Sequence, residues 1–357
     1  MVLRWQSSIA SASGVQAFRQ QGAAADALRP AGRLRRASSA AGSCNLNSTE
    51  PTAVTLPSLA ASPARQVVLS NNTQLNLPDV SGVLQLHSAD SFALLDQLDN
   101  WPTASGEIGS IQAQPVTLDT DYDGRADALY IVDVNGAVWF IPLTSTGFAA
   151  PLAIADFSDT GLLFRQPLRL VQTVAADSAG LTSNQSMLLL VGSSADNGDT
   201  LFALRHQPQR LEPVQLTDLT ERSSISADEL RYGIDELLWQ QIQRSSGWYV
   251  QLNGSITTAP QVYAGVIYLT AADIGAVQPD CSLVDGAELA LHALHLHHAG
   301  SVYARRNWPV DALAQAELTL QHNSEGQLEL SLNSADQQSS LVSELLAISE
   351  ECADCTE

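Results

Sequence analysis

The stretch ALYIVDVNGAVWFIPL (128–143) constrains the fold more tightly than any other part of the chain. Two short apolar runs flank Asn135-Gly136. Asn-Gly supplies the two positive φ angles of a tight turn, so the segment predicts an antiparallel hairpin. The same grammar recurs downstream. MLLLVGSSADNGDTLFAL (187–204) reads as a strand pair with a longer loop, and WYVQLNGSITTAPQVYAGVIYLTAAD (248–273) as two or three further strands. AELTLQHNSEGQLELSLN (316–333) alternates apolar and polar residues on both sides of Asn-Ser-Glu-Gly, which predicts a hairpin with one wet face. Many short strands divided by turn residues predict an all-β sandwich or propeller, although no strict repeat marks successive blades.

One segment breaks the β pattern. Ser226-Ala-Asp-Glu229 is a capping-box signature, and Leu230, Ile234, Leu237, Leu238 and Ile242 follow it at helical spacing. The pattern predicts a helix over 227–243, inserted in a loop between strands. SLVSELLAIS (340–349) fits a short helix or an edge strand equally well.

At 357 residues the chain is long enough for two average domains or one large β domain. Its net charge is −21, and it contains no lysine: all 17 basic residues are arginines. Such a balance argues against nucleic-acid binding, which needs a basic face to neutralise phosphates. The charge is unevenly spread. Residues 1–65 hold seven arginines against Asp26 and Glu50, a net of +5, so the remainder carries −26. The Ala/Ser/Arg composition of 1–65 predicts a disordered segment without a core of its own. We therefore expect a basic segment over 1–65, a β region over 66–338 and an acidic tail over 339–357.

The opening residues MVLRWQSSIASASGVQAF carry no unbroken apolar stretch of the kind a signal peptide needs. Nor does any 18-residue apolar run predict a membrane helix. Cys352-Ala-Asp-Cys355 is one ligand pair, but a zinc site needs a second and Cys44 and Cys281 stand alone, so no zinc is expected and the disulfide pairing of the four stays open.

DTDYDGRAD (119–127) has the order of a calcium loop. Asp119, Asp121 and Asp123 fall at positions 1, 3 and 5, Gly124 at 6 allows a sharp turn, Arg125 offers its carbonyl at 7, and Asp127 falls at 9. Oxygen ligands at this density select Ca²⁺ over the more hydrated Mg²⁺. Position 12 of an EF-hand would be a glutamate, but here it is Tyr130, and the flanks read as strands rather than helices. Losing that bidentate glutamate predicts a weak affinity, about 10⁻⁴–10⁻³ M. The alternative is an acidic surface turn, which has no reason to place four aspartates in register with the glycine.

Other chemistry is sparse. His292, His295, His297 and His298 crowd one segment, and on a strand His295 and His297 would share a face. Without a carboxylate or cysteine to complete a ligand set, a histidine-rich wet face explains them better than a transition metal. There is no G-x-S-x-G elbow, H-E-x-x-H or P-loop, so no enzyme activity is expected. Trp101, Trp139, Trp239, Trp248 and Trp308 are expected as core anchors.

Residues 109–143, GSIQAQPVTLDTDYDGRADALYIVDVNGAVWFIPL, resemble the calcium-site blade of the type IV pilus tip-associated adhesins, the PilY-type proteins. Tyr130, Asp133, Gly136, Trp139 and Leu143 keep the landmarks of that blade. LLLVGSSADNGDTLFAL, GWYVQLNGSITTAPQVYAGVIYLTAAD, and Cys281 with GAELALHAL then follow in the family's order, across about 109–300. The resemblance implies an all-β propeller, complete or incomplete, displayed at the pilus tip or cell surface. It implies Ca²⁺ held by Asp119, Asp121, Asp123, Asp127 and the Arg125 carbonyl, with the ion governing pilus extension against retraction. The implied partners are minor pilins or other pilus-tip components, and a host or abiotic surface. Position 134 is valine after Asp133, where the family usually has Gly-Asp-Leu. The family is also longer, with a signal peptide and an extensive N-terminal region. Here the sequence ahead of the loop reads as too short for the early blades, and VSGVLQLHSADSFALLDQL (80–98) as the remnant of one. These departures suit a C-terminal fragment, a divergent or non-functional short paralogue, or a mis-called start that adds the basic segment. Alternatives to the adhesin are an integrin-like propeller, which would carry several such loops, and a quinoprotein dehydrogenase, which would need a quinone pocket.

Overall fold

The computed structural model describes residues 53–56, 65–69, 82–88, 91, 93–121, 123, 125–176, 182–194, 196–277, 283–310, 317–322, 328–333 and 338–340. Among them the chain is mostly β, folded into five sheets that follow one another along the sequence. The first contains β1 (Ala53–Leu56), β2 (Arg65–Leu69), β3 (Leu84–Ser88) and β4 (Leu94–Leu98). The second contains β5 (Val116–Leu118), β6 (Ala128–Val132), β7 (Ala137–Pro142) and β8 (Leu152–Asp156). Both are meanders in which each strand pairs antiparallel with the next.

The third sheet is built from β9 (Arg169–Ala176), β10 (Thr182–Gly192), β11 (Thr200–Arg205), the two-residue β12 (Thr220–Glu221) and β13 (Gly247–Gln251). Its order is β12-β13-β11-β10-β9, and only the β12–β13 pairing is parallel. The fourth holds β14 (Gly254–Ile256), β15 (Gln261–Tyr263), β16 (Val266–Asp273), β17 (Leu289–His295) and β18 (Asn307–Val310). The fifth holds β19 (Glu317–His322), β20 (Leu328–Asn333) and β21 (Gln338–Ser340).

Each sheet packs face to face on the next, and the period-2 alternation of a strand decides which neighbour a side chain meets. On β6, Leu129 and Ile131 join Leu84, Leu86 and Leu98 of the first sheet. The intervening Tyr130 and Val132 join Leu188, Leu190, Phe202 and Leu204 of the third. On β10, Met187, Leu189 and Val191 turn the other way, onto Ile267 and Leu269 of the fourth sheet. Val266 and Tyr268 then face Leu318, Leu330 and Leu332 of the fifth. This sandwiching explains the unbroken apolar runs. A strand covered on both faces has no wet side, and every residue of β6 is buried. Each large aliphatic side chain so buried contributes about 1.5–3 kcal/mol. Among the described residues, no apolar cluster joins the first sheet to the fifth.

Several expectations are refined. The turn between β6 and β7 spans Asp133–Gly136, with Gly136 N–H donating to the Asp133 carbonyl at 3.0 Å. Only Gly136 has a positive φ there, at 98°, so Asn-Gly does not form a two-residue turn; the glycine takes the bulge position after a type I turn. The predicted helix is two helices, α1 (Ala227–Tyr232) and α2 (Glu236–Arg244), between β12 and β13. Ser226 caps α1 by accepting from Glu229 N–H at 3.0 Å. The chain then turns at Gly233 (φ 82°), and Asp235 caps α2 by accepting from Leu238 N–H at 2.9 Å. A second cap with a glycine before it stops one helix and starts another.

The β19–β20 hairpin forms, yet its polar face is not simply wet: Ser331 is fully buried and lies 3.2 Å from the Thr319 hydroxyl. The sequence ahead of the acidic loop, read as holding a remnant, carries the four strands of the first sheet. β1 and Arg65 of β2 lie inside the segment 1–65. The rest of that segment, 341–357 and all four cysteines lie outside the described residues. No described helix is long and apolar enough to cross a membrane.

Candidate metal centre

The acidic loop connects β5 to β6, so its two ends are pinned by the ladder Val116↔Tyr130, Thr117↔Leu129, Leu118↔Ala128. Asp127 N–H closes the base by donating to the Leu118 carbonyl at 2.8 Å, and the Asp127 carbonyl accepts from Leu143 N–H at 2.7 Å. Ala126 beside it is buried, while Asp121, Asp123 and Arg125 are exposed. The loop therefore has a rigid floor and a tip open to solvent.

Asp119, Asp121 and Asp127 converge: one carboxylate oxygen from each lies within 4.8 Å of the others. Two like charges about 5 Å apart repel by roughly 0.8 kcal/mol in water and about 3 kcal/mol at an effective dielectric of 20. Three in one place favour a cation among them. Arg125 does not serve as that cation, because its Nε lies 3.9 Å from the Asp123 carboxylate instead. Asp123 also accepts from Arg125 N–H at 2.8 Å and stands outside the group of three. Of the expected aspartates, positions 1, 3 and 9 come together and position 5 turns toward its own backbone. Gly124 and Tyr122 lie outside the described residues.

The donor set is all carboxylate oxygen, which suits a hard divalent cation and gives a soft metal nothing to prefer. Three carboxylates supply three to six of the six to eight oxygens Ca²⁺ takes, leaving backbone carbonyls and water for the rest. The residues present therefore fit calcium.

Thr120 carries a role that position counting did not find. Its backbone N–H donates to Asp127 Oδ2 at 2.6 Å, and its hydroxyl donates to the same oxygen. These bonds fix the Asp127 carboxylate across the loop. Gln172 on β9 reaches the Asp119 carbonyl at 3.4 Å and ties the loop to the third sheet. Asp133, a landmark of the resemblance, is a buried turn-former: its carboxylate accepts from Asn135 N–H at 3.0 Å, Ala137 N–H at 2.9 Å and Gly109 N–H at 2.8 Å.

The histidines do not assemble a metal site. β17 ends at His295, so His297 lies in the following turn and shares no strand face with it. His295 Nδ1 accepts from His297 N–H at 3.2 Å, and His298 Nδ1 accepts from Gly300 N–H at 3.0 Å. With Nδ1 accepting, the proton of each neutral ring sits on Nε2, leaving no lone pair there for a metal. Their rings stack at 3.8 Å. Burial holds His292, His295 and His297 down at about 4 and His298 at about 3, so all four are neutral at pH 7. Trp101, Trp139 and Trp248 are buried as expected, while Trp239 and Trp308 are half-buried.

No protein-family model matches the chain, and no curated protein does. Among solved structures, it is similar to the Pseudomonas aeruginosa PilY1 C-terminal domain at 14% identity and a TM-score of 0.45, over 72% of this chain and 66% of that one. The chain thus spans just under two thirds of that domain. A europium-containing methanol dehydrogenase is similar at 9% identity and a TM-score of 0.38, over 78% of this chain and 48% of the enzyme. BamB from Moraxella catarrhalis is similar at 10% identity and a TM-score of 0.26, over 82% and 91% of the two chains. Likenesses this distant assign no function.

Proposed function

We propose that the chain is a calcium-binding, non-enzymatic β-propeller module of the type IV pilus-associated adhesin kind. The observation that carries the calcium reading is the convergence of Asp119, Asp121 and Asp127 at the mouth of the β5–β6 hairpin. The motif order across 109–300 supports the adhesin reading, and five stacked, largely antiparallel sheets suit successive blades of a propeller. In this reading the ion neutralises the three carboxylates and joins the two ends of the loop. The blade edge stiffens, and the surface offered to pilus-tip components or to an attachment surface is held in one form. The module works outside the cell, where millimolar calcium matches a weak site.

The test is thermal unfolding of the full chain with calcium and with chelator. With a dissociation constant of about 10⁻⁴ M, 10 mM calcium stabilises by roughly 2.7 kcal/mol, a rise of several degrees in Tm. Asp121→Ala and Asp127→Ala are expected to abolish the rise, whereas Asp123→Ala keeps part of it. An unmodified protein whose Tm ignores calcium would remove the reading.

A further inference from the structure

The helices α1 and α2 interrupt a molecule otherwise made of sheets, and they do not bury all of their apolar surface. Ile242 is buried, and Ile234 and Leu238 pack on the core between the third and fourth sheets. Leu230, Tyr232 and Leu237, close together in sequence, are instead 41%, 72% and 80% exposed.

Beside them lies an open cavity of about 500 Å³, lined by Arg222, Asp228, Glu229, Tyr232, Asp235 and Leu238 among others. That volume falls in the range of ordinary ligand sites. The one basic residue among these is already committed. Arg222 is buried, pairs with the Glu229 carboxylate and donates through Nε to the His298 carbonyl at 2.9 Å. Asp228 and Asp235 remain, both exposed and without a salt bridge among the described residues. The Tyr232 ring already takes one guanidinium, that of Arg231, 5.2 Å from its centroid. An acidic mouth with an exposed aromatic and a leucine calls for an arginine flanked by apolar residues.

Such a segment exists in this chain. Residues 1–65 carry a net +5 against −26 for the remainder, and ALRPAGRLRRAS (27–38) holds four of their arginines, with Leu28 just ahead of them and Leu34 among them. Arg36 precedes β1 by 17 residues. Extended, that tether spans about 55 Å, whereas a body of some 300 residues has a radius of gyration of roughly 19 Å. Reach is not limiting.

We propose that the arginine-rich stretch 29–36 docks intramolecularly in the cavity at α1 and α2, with an arginine between Asp228 and Asp235 and against the Tyr232 ring. The contact does not depend on the cation. It places the basic segment on an acidic face and covers apolar surface that the sheets leave bare.

The absence of lysine makes the test specific. In full-length Arg33→Lys protein, the introduced side chain carries the only amine besides the chain terminus, and a zero-length carbodiimide couples it to a carboxylate in contact. Peptide mapping is expected to find that amine joined to Asp228 or Asp235 within one chain. The yield should collapse in roughly 0.5 M salt, where the Debye length is about 4 Å. Adding Tyr232→Ser should also lower it while both carboxylates remain. Coupling to acidic residues all over the surface, no coupling, or a yield indifferent to Tyr232→Ser would overturn the proposal. Links found only between chains would assign the cavity to a second copy and overturn it equally.

Discussion

Asp133 and Asp199 are both buried carboxylates held in opposite ways. Asp133 accepts from three backbone N–H groups, so its environment resembles the water it left. Asp199, at the junction of the third and fourth sheets, accepts from Ile256 N–H at 2.8 Å, but burial dominates and pushes its carboxyl up to about 6. A carboxyl raised from 3.8 to about 6 favours the protonated folded state. Its contribution is full below about pH 4, is lost as pH rises toward about 6, and stays lost above. The loss is about 3 kcal/mol. Asp199→Asn is therefore expected to be more stable than the unmodified protein at about pH 7, with the gap closing by about pH 4. Denaturant midpoints across that range measure it, and a gap that does not change with pH contradicts the assignment. At the same scale, the spacing of Asp119, Asp121 and Asp127 was legible because loop position fixes where a carboxylate can point. Thr120 was not, since a calcium loop accepts almost any residue at position 2, and only the fold shows its hydroxyl on Asp127. Asp123 lies outside that group of three, where Arg125, two residues on, offers it both a backbone N–H and a guanidinium.

At the scale of elements, the hairpins were the readable part. Apolar runs broken by glycine and asparagine placed β6–β7 and β10–β11 correctly. Turn geometry was harder, because Asn-Gly fits two turn types and Asp133 decided between them from outside the dipeptide. Gly136 is also close to the aromatic cluster: a Cβ there would stand 2.6 Å from the Phe164 ring and 3.1 Å from Phe157 Cβ. Gly136→Ala adds that clash to a positive φ and is expected to cost more than about 1 kcal/mol. A melting curve would show it, and a neutral substitution would mean that Phe164 moves aside freely. The split of the predicted helix had a similar cause. Helical spacing continued through Gly233 and Asp235, but a glycine followed by a capping aspartate outweighs periodicity over so short a distance. The outward Leu237 shows that the apolar stripe was not one face.

At the scale of the molecule, the strand pattern by itself left sandwich and propeller in competition, and it missed how the sheets share residues. Each interior sheet is held by cores on both faces, whereas each terminal sheet has one such core among the described residues. Protection should grade accordingly. Hydrogen exchange is expected to find the amides of β10, β11 and β16 slowest, with those of β3 and β20 exchanging at lower opening free energy. Uniform protection across all five sheets would contradict this gradation.

The double burial of β6, β10 and β16 has a consequence for how the chain finds its register. In a half-wet strand, slipping by one residue drives polar groups inward, and hydrophobicity alone rejects the error. On β6 a slip exchanges one apolar set for another, so greasiness cannot proofread it. Polar hooks must do so. The Tyr130 hydroxyl meets His206 Nδ1 at 2.6 Å across two sheets, and Asp133 locks the end of the strand. On β16 the fully buried Thr270 hydroxyl lies 2.8 Å from that of Thr257 and 3.0 Å from that of Thr258. These few groups act as the alignment pins of an otherwise self-similar stack.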